Sequence, residues 1–265
     1  MKTPEYVHQN NPSETESARL RKLEALFDPR TQALIKKIGL RKGHSILEAG
    51  AGRGGLLPWL WETVGERGHV TAVDLKTRFI DHIQQPNLEI LEGDLTKMDL
   101  GKEKFDLIHE RYVLTHIADY RSVLKKMMAA LKPGGWLLLE DADFSAAEFK
   151  TADPVLGKAF HATIQARNLL FGKKRIDFAF GRRLGKLLDQ FGFINVQETA
   201  YAPLDHGGDG TAEIMRLSTL QLWNQYLETE AATEENLQAF VNLSSDPGQA
   251  AVYYSTISAW GQKPI

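Results

Sequence analysis

The stretch Ile46-Leu47-Glu48-Ala49-Gly50-Ala51-Gly52-Arg53-Gly54-Gly55-Leu56 holds the residue types best suited to chemistry. Ile46 and Leu47 end an apolar run that predicts a strand, and Glu48 stands at its carboxyl end. Gly50, Gly52 and Gly54 or Gly55 remove the Cβ atoms that would obstruct a tight turn and the close approach of a ligand to the backbone. A helix starting near Gly55 would aim its first N–H groups at the same point. This is the pattern of a nucleotide site at the mouth of an α/β sheet. Gly50-x-Gly52-x-x-Gly55, with Asp74 about 20 residues further on, also fits a dinucleotide fingerprint. Glu48 argues against that ligand. A pyrophosphate disfavours a carboxylate two residues before the first glycine, whereas a cationic ligand favours one. Asp94, within Gly93-Asp94-Leu95, supplies a third acid after a further strand.

Leu131-Lys132-Pro133-Gly134-Gly135-Trp136 reads as a helix stop, a turn and a new strand, which runs on through Leu137, Leu138 and Leu139. In this order and spacing the motifs resemble those of the class I S-adenosylmethionine-dependent methyltransferases, over about residues 40 to 145. The general look is closest to the small-molecule enzymes of ubiquinone and menaquinone biosynthesis. The resemblance implies S-adenosylmethionine as cofactor and an in-line methyl transfer to a small-molecule acceptor. It implies cofactor contacts from Glu48, Gly50, Ala51, Gly52, Gly54, Asp74, Leu75, Gly93, Asp94, Leu95, Glu110 and Arg111. Glu48 would help neutralise the cationic methionine portion, or else cap the following loop. Asp74 would accept the ribose hydroxyls, or else cap the segment after it. Asp94 would accept the adenine amino proton, or else serve as a turn residue. Arg111 would pair with the cofactor carboxylate, while Arg53 is expected to point to solvent.

The donor is already activated, so positioning and desolvation supply much of the acceleration. A general base is needed only for an acceptor protonated at neutral pH. His109, Glu110, Asp141 and Asp143 are the candidates, with Glu140 beside them. Acids that end a strand and cap the next helix explain the Glu140–Asp143 group equally well. Two other classes compete. A non-catalytic S-adenosylmethionine-binding regulator would keep the same cofactor residues, and a nicotinamide oxidoreductase would use the same glycine loop.

These residues need a scaffold, and the patterning supplies one. Ser13-Glu14-Thr15-Glu16 opens a helix carrying Leu20, Leu23, Leu26 and Phe27. Pro29 is expected to interrupt it before a second helix with Leu34, Ile35 and Ile38. Strands are predicted at 45–48, 69–74, 88–91, 105–109, 136–140, 194–198 and 252–260, with helices after Gly55 and at 78–84, 119–131, 154–171, 182–191, 211–227 and 234–243. Alternation of strands and helices predicts a Rossmann-like, mostly parallel sheet with helices on both faces. The resemblance adds an antiparallel last strand, making seven. One domain is expected over 1–265: an N-terminal helical lid to 40, a cofactor core over 41–144, and the remaining core with helical insertions at about 145–180 and 202–250. Tyr6 and His8 are expected to contact the bound cofactor or acceptor. Aromatics such as Phe149, Phe160, Phe171, Phe178, Phe180, Trp223 and Tyr226 line an acceptor pocket or pack the core.

The composition, 43% hydrophobic and 25% charged over 265 residues, is that of an ordinary globular protein. A net charge of −2 gives no basic footprint for nucleic acid. Cysteine is absent, so no disulfide framework or thiolate metal site exists, and no other spacing predicts a metal site. Met1-Lys2-Thr3-Pro4-Glu5-Tyr6 lacks the apolar run of a signal peptide, and no run matches a membrane span. A cytoplasmic monomer or homodimer without membrane insertion is expected.

Overall fold

The computed structural model describes residues 13–265. Tyr6 and His8 lie outside the described residues. In chain order the strands are β1 (Ser45–Ala49), β2 (His69–Asp74), β3 (Leu88–Glu92), β4 (Phe105–Arg111), β5 (Leu131–Asp143), β6 (Ile194–Tyr201), β7 (Asp205–His206), β8 (Ala250–Ala251) and β9 (Ser255–Gln262). The helices are α1 (Ser13–Ile38), α2 (Leu57–Val64), α3 (Tyr120–Ala130), α4 (Pro154–Lys173), α5 (Leu184–Gln190), α6 (Gly210–Gln221), α7 (Trp223–Leu227) and α8 (Glu234–Leu243).

Seven strands make one sheet of order β3-β2-β1-β4-β5-β9-β6. Strands β1 to β5 pair in parallel. β9 lies between β5 and β6 and runs antiparallel, as the resemblance implied. Just past its end, Gly134 N–H donates to the Lys263 carbonyl at 3.0 Å and Lys263 N–H donates to the Gly135 carbonyl at 2.8 Å, tying the chain after β9 to the irregular start of β5. The order reverses between β1 and β4, so the crevice outside their carboxyl ends is where such a sheet binds a ligand. Glu48 and the glycine loop leave β1 at that point.

Several predicted boundaries are corrected. Pro29 does not end the first helix, because α1 runs unbroken from Ser13 to Ile38 with the proline inside. Burial of Phe27, Thr31 and Ile35 on either side of the proline holds the helix together despite the missing donor. Residues 78–84 form turns instead of a helix: Ile80 and Asp81 both bond back to Thr77, and the segment is too short to propagate. The Lys-Pro-Gly-Gly turn lies within β5, as an irregularity where Phe105 pairs with Leu131 and Leu107 already pairs with Trp136. The helix over 211–227 is broken at Leu222, and the last strand begins at Ser255. The two-stranded β7–β8 ribbon was not anticipated.

The Cα packing divides the chain into two units. One contains Glu24–Asp141, Gly181–Thr199 and Ile257–Ile265. Its core joins Ile35 of α1 and Leu57, Leu60 and Val64 of α2 to Ile46, Val70, Leu107, Leu138 and Trp260 of the sheet. From Glu24 onward, therefore, the segment expected as a lid packs within the sheet unit. The other unit contains the described residues up to Leu23 with Ala142–Phe180 and Ala200–Thr256, and is mainly helical. Phe160 stacks among Phe149, Phe240 and Tyr253 at centroid distances of 5.4, 5.8 and 5.8 Å, so Phe149 and Phe160 are core residues. A second cluster there gathers Ala166, Leu170, Phe171, Leu222 and Tyr226.

Candidate active site

The glycine loop has a distinctive hydrogen-bond arrangement. Gly50 and Ala51 N–H donate to the Val73 carbonyl at 2.7 and 3.1 Å, and Gly54 N–H donates to the Ala51 carbonyl at 2.8 Å. Gly52 N–H donates to Asp74 at 2.8 Å and Gly55 N–H to Glu24 at 3.1 Å. Helix α2 starts only at Leu57, with a proline in its first turn. The expected helix terminus at Gly55 is thus displaced and covered by a carboxylate. A pyrophosphate needs open N–H donors and no nearby anion, and the loop offers it neither at these positions. The loop can still be approached closely. A Cβ at Gly50 would collide with Val113, whereas Gly52, at φ +58°, has nothing within 4 Å of where its Cβ would stand.

Asp74 ends β2. One carboxylate oxygen braces the loop through Gly52, and the other accepts Lys76 N–H at 3.0 Å. Burial raises its pKa, against the N–H groups that favour the charged form. Next to it Leu75 is 60% exposed, an apolar side chain presented to solvent at the sheet's ligand-binding end. Gly93 N–H donates to the Asp74 carbonyl at 2.8 Å. Asp94 accepts from the Thr96 hydroxyl and N–H at 2.7 and 2.9 Å, which lowers its pKa, while its second oxygen is 3.3 Å from Lys97. The Leu95 side chain is buried.

On the sheet itself lies a buried chain of charges. Glu48 and His109 are paired in register on β1 and β4, and Arg111 and Glu140 on β4 and β5, so their side chains share one face. His109 Nδ1 is 2.7 Å from Glu48 and Nε2 is 3.1 Å from Glu140. Burial alone would lower the imidazole pKa, but the two carboxylates raise it to about 10. For Glu140 burial works upward and is outweighed by His109, then Arg111 and Ser258, leaving it at about 2. Ser258 of β9 donates to Glu140 at 2.6 Å, and the Thr31 hydroxyl of α1 also donates to Glu140. Arg111 donates to Thr31 at 2.8 Å and to Asp28 at 2.5 Å. With each group in its ordinary ionised form the set holds three carboxylates and two cations, an excess of one negative charge.

His109 sits between two carboxylates, which favour its charged form. Arg111 is committed to Asp28 and Thr31, and Arg53 pairs with Glu24 at 3.1 Å instead of pointing freely to solvent. Glu110 faces the other side of the sheet. One of its oxygens accepts from Val113 and Leu114 N–H at 3.1 and 3.3 Å, the other is buried without a partner, and burial raises its pKa to about 7. Asp141 is fully buried. Asp143 accepts from the Ser145 N–H and hydroxyl at 3.0 and 2.5 Å, the capping role. The sequence reading missed Glu24, Asp28 and Thr31. Their spacing, in phase with buried Phe27 and Ile35, is a polar stripe on a buried helix face and was legible as such. Tyr112, directly after β4, has a φ of +58°, unusual for a residue with a Cβ.

Comparison with known proteins agrees with this geometry. The profile of a family described as a methyltransferase domain matches residues 19–198. Demethylmenaquinone methyltransferase of Staphylococcus aureus is 26% identical over 182 residues, covering 63% of this chain and 75% of that protein. A solved methyltransferase of Aquifex aeolicus, described as S-adenosylmethionine-dependent, superposes with a TM-score of 0.54 at 17% identity, covering 96% of this chain and all of that one. Phosphoethanolamine N-methyltransferase 2 of Haemonchus contortus, solved with phosphomonomethylethanolamine and S-adenosylhomocysteine, superposes with a TM-score of 0.58 at 16% identity. That match covers 89% of this chain and 53% of the worm protein, so the chain spans about half of its length. On the profile match and the fold together, the chain belongs to the methyltransferase-domain family and is a class I S-adenosylmethionine-dependent methyltransferase.

Proposed function

We propose that this protein transfers a methyl group from S-adenosylmethionine to a small-molecule acceptor, with the cofactor seated at the carboxyl ends of β1, β2 and β4. The observation that carries the reading is the single excess negative charge of the Glu48–His109–Glu140–Arg111–Asp28 set, which begins where β1 enters the glycine loop. It complements a cofactor whose sulfonium and ammonium outweigh its carboxylate. Bound S-adenosylmethionine would supply a methyl group already activated on sulfur. Gly50, Ala51, Gly52 and Gly54 would pass along the methionine portion, on the open side of Gly52. Asp74 would accept the ribose hydroxyls on lone pairs left over from Gly52 and Lys76. Asp94 and the Leu95 N–H would bond the adenine edge beside Gly93, and exposed Leu75 would cover its face. Glu110 and Arg111 act here as positioning residues, Glu110 by fixing the Val113–Leu114 turn and Arg111 by tying β4 to α1.

Residues 145–180 and 202–250 would choose the acceptor. The enzyme would act in the cytoplasm as a monomer or homodimer. No helix among the described residues is long and apolar enough to cross a membrane. The test is to incubate the full chain with S-adenosylmethionine labelled on its methyl group and a panel of phenols, hydroquinols, carboxylates and amines. Label in a small-molecule product supports the reading. Tight cofactor binding with no transfer to any class favours the regulatory alternative.

A further inference from the structure

Glu48 and Arg111, the charged residues expected at the amino-acid end of the cofactor, are already engaged. Glu48 is paired with His109 and Arg111 with Asp28. That end of the cofactor carries an ammonium and a carboxylate, so it needs a partner of each sign. The glycine loop offers one further pair. Nη1 of Arg53, within the loop, lies 3.1 Å from Glu24 Oε2, and Glu24 Oε1 accepts the Gly55 N–H at 3.1 Å. Both residues belong to the sheet unit, which begins at Glu24.

A ligand can reach this pair. The Arg53 and Glu24 side chains keep 26% and 16% of their surface exposed. Gly52, the residue before Arg53, has nothing within 4 Å of where its Cβ would stand, so the loop is open beside the guanidinium. The two oxygens of Glu24 are tied unequally. Oε1 is fixed to backbone, while Oε2 meets the end of a long arginine side chain, and an ion pair open to solvent costs little to separate. Gly55 shows how closely α1 presents its acids. A Cβ there would stand 2.6 Å from Asp28 Oδ2 and 2.8 Å from Glu24 Cδ, so this glycine makes room for the helix carboxylates. Burial raises the Glu24 pKa and Asp28 adds to the rise, against the Gly55 N–H and Arg53. A further cation beside Glu24 would therefore stabilise its carboxylate.

Resting on the methyltransferase reading above, we propose that the Glu24–Arg53 pair is the subsite for the zwitterionic amino-acid end of the cofactor. The pair opens, Arg53 takes the α-carboxylate and Glu24 Oε2 takes the α-ammonium, while Oε1 keeps the Gly55 N–H. A zwitterion placed between two opposite charges leaves the net charge unchanged and gives each group a new partner. The test titrates the full chain calorimetrically with S-adenosylhomocysteine, its decarboxylated analogue and 5′-methylthioadenosine. These probes differ only beyond the sulfur, and none carries a sulfonium. Arg53→Gln should weaken S-adenosylhomocysteine by at least about tenfold, the factor equivalent to 1.4 kcal/mol, and leave the decarboxylated analogue bound as tightly or more so. Glu24→Gln, whose amide oxygen can still accept the Gly55 N–H, should weaken both amine-bearing probes by that factor. 5′-Methylthioadenosine should bind the wild type and both variants alike. Unchanged affinity for S-adenosylhomocysteine in either variant would overturn the proposal, because a zwitterion needs both partners. So would an equal loss for 5′-methylthioadenosine, which marks a pair that only braces the loop. If the wild type binds none of the three probes, it is the methyltransferase reading itself that fails.

Discussion

Asp74 performs two tasks that can be separated by substitution. It braces Gly52, and in the proposed complex it also accepts the ribose hydroxyls. Asp74→Ala removes charge-assisted bonds worth about 1.5–3 kcal/mol each. Affinity for S-adenosylhomocysteine, measured by calorimetry, should fall at least tenfold while the circular dichroism of the fold is retained. Unchanged affinity in a folded variant would leave Asp74 with the bracing role alone. The buried charges make a second prediction, on stability against pH. His109 has a folded pKa of about 10 against an ordinary 6.5, so its stabilisation is complete below pH 6.5 and is lost as pH rises through 10. Glu140, held at about 2 against 4.5, stabilises above pH 4.5 and loses this as pH falls through 2. Glu110, raised to about 7 from 4.5, penalises the fold progressively as pH rises from 4.5 through 7. Thermal stability should therefore decline as pH rises in two windows, about 4.5–7 for Glu110 and about 6.5–10 for His109. Glu110→Gln should flatten the lower window. His109→Gln should flatten the upper one and cost about 3–5 kcal/mol at neutral pH, because it leaves two carboxylates buried without their cation. If both variants keep the wild-type pH profile, the charge assignment is wrong.

At the scale of elements, α1 is the least conventional part of the fold. It carries Glu24, Asp28 and Thr31 to the glycine loop, Arg111 and Glu140, and keeps a proline in its interior. Restoring the missing donor with Pro29→Ala should stabilise the protein by about 1–3 kcal/mol, read as a higher denaturation midpoint. A lower midpoint would mean that packing around the proline outweighs its cost to the helix. Because Glu24 holds the Gly55 N–H and Arg53, cofactor binding should be felt along α1. Hydrogen exchange with and without S-adenosylhomocysteine should show added protection over Glu24–Thr31 as well as at the glycine loop. Protection confined to the loop would uncouple the helix from the site. The strands were legible because period-two apolar runs ending in acids or glycines have few other solutions. The continuity of α1 was not, since proline ends a helix on local grounds and only the buried contacts of Phe27, Thr31 and Ile35 override it. The turns at 78–84 misled for a related reason: Phe79, Ile80 and Ile83 look amphipathic, but helical pattern in so short a segment does not ensure a helix.

For the whole molecule, the strand order reverses between β1 and β4, where the proposed cofactor would sit, and the spent donors of the glycine loop would disfavour a pyrophosphate. The acids at strand ends were readable from Glu48, Asp74 and Asp94. Their second functions were not, because the partners of Glu48 and Asp74 lie 61 and 22 residues away in the chain. Likewise nothing local to Arg111 or His109 announces that Asp28, Glu48 and Glu140 will occupy them. The central claim is that this crevice takes the adenosyl cofactor and refuses a dinucleotide. Calorimetric titration of the full chain with S-adenosylhomocysteine and, separately, with NAD tests it most directly. The account predicts saturable binding of S-adenosylhomocysteine and no heat of binding with NAD. Saturable NAD binding with no response to S-adenosylhomocysteine would contradict it.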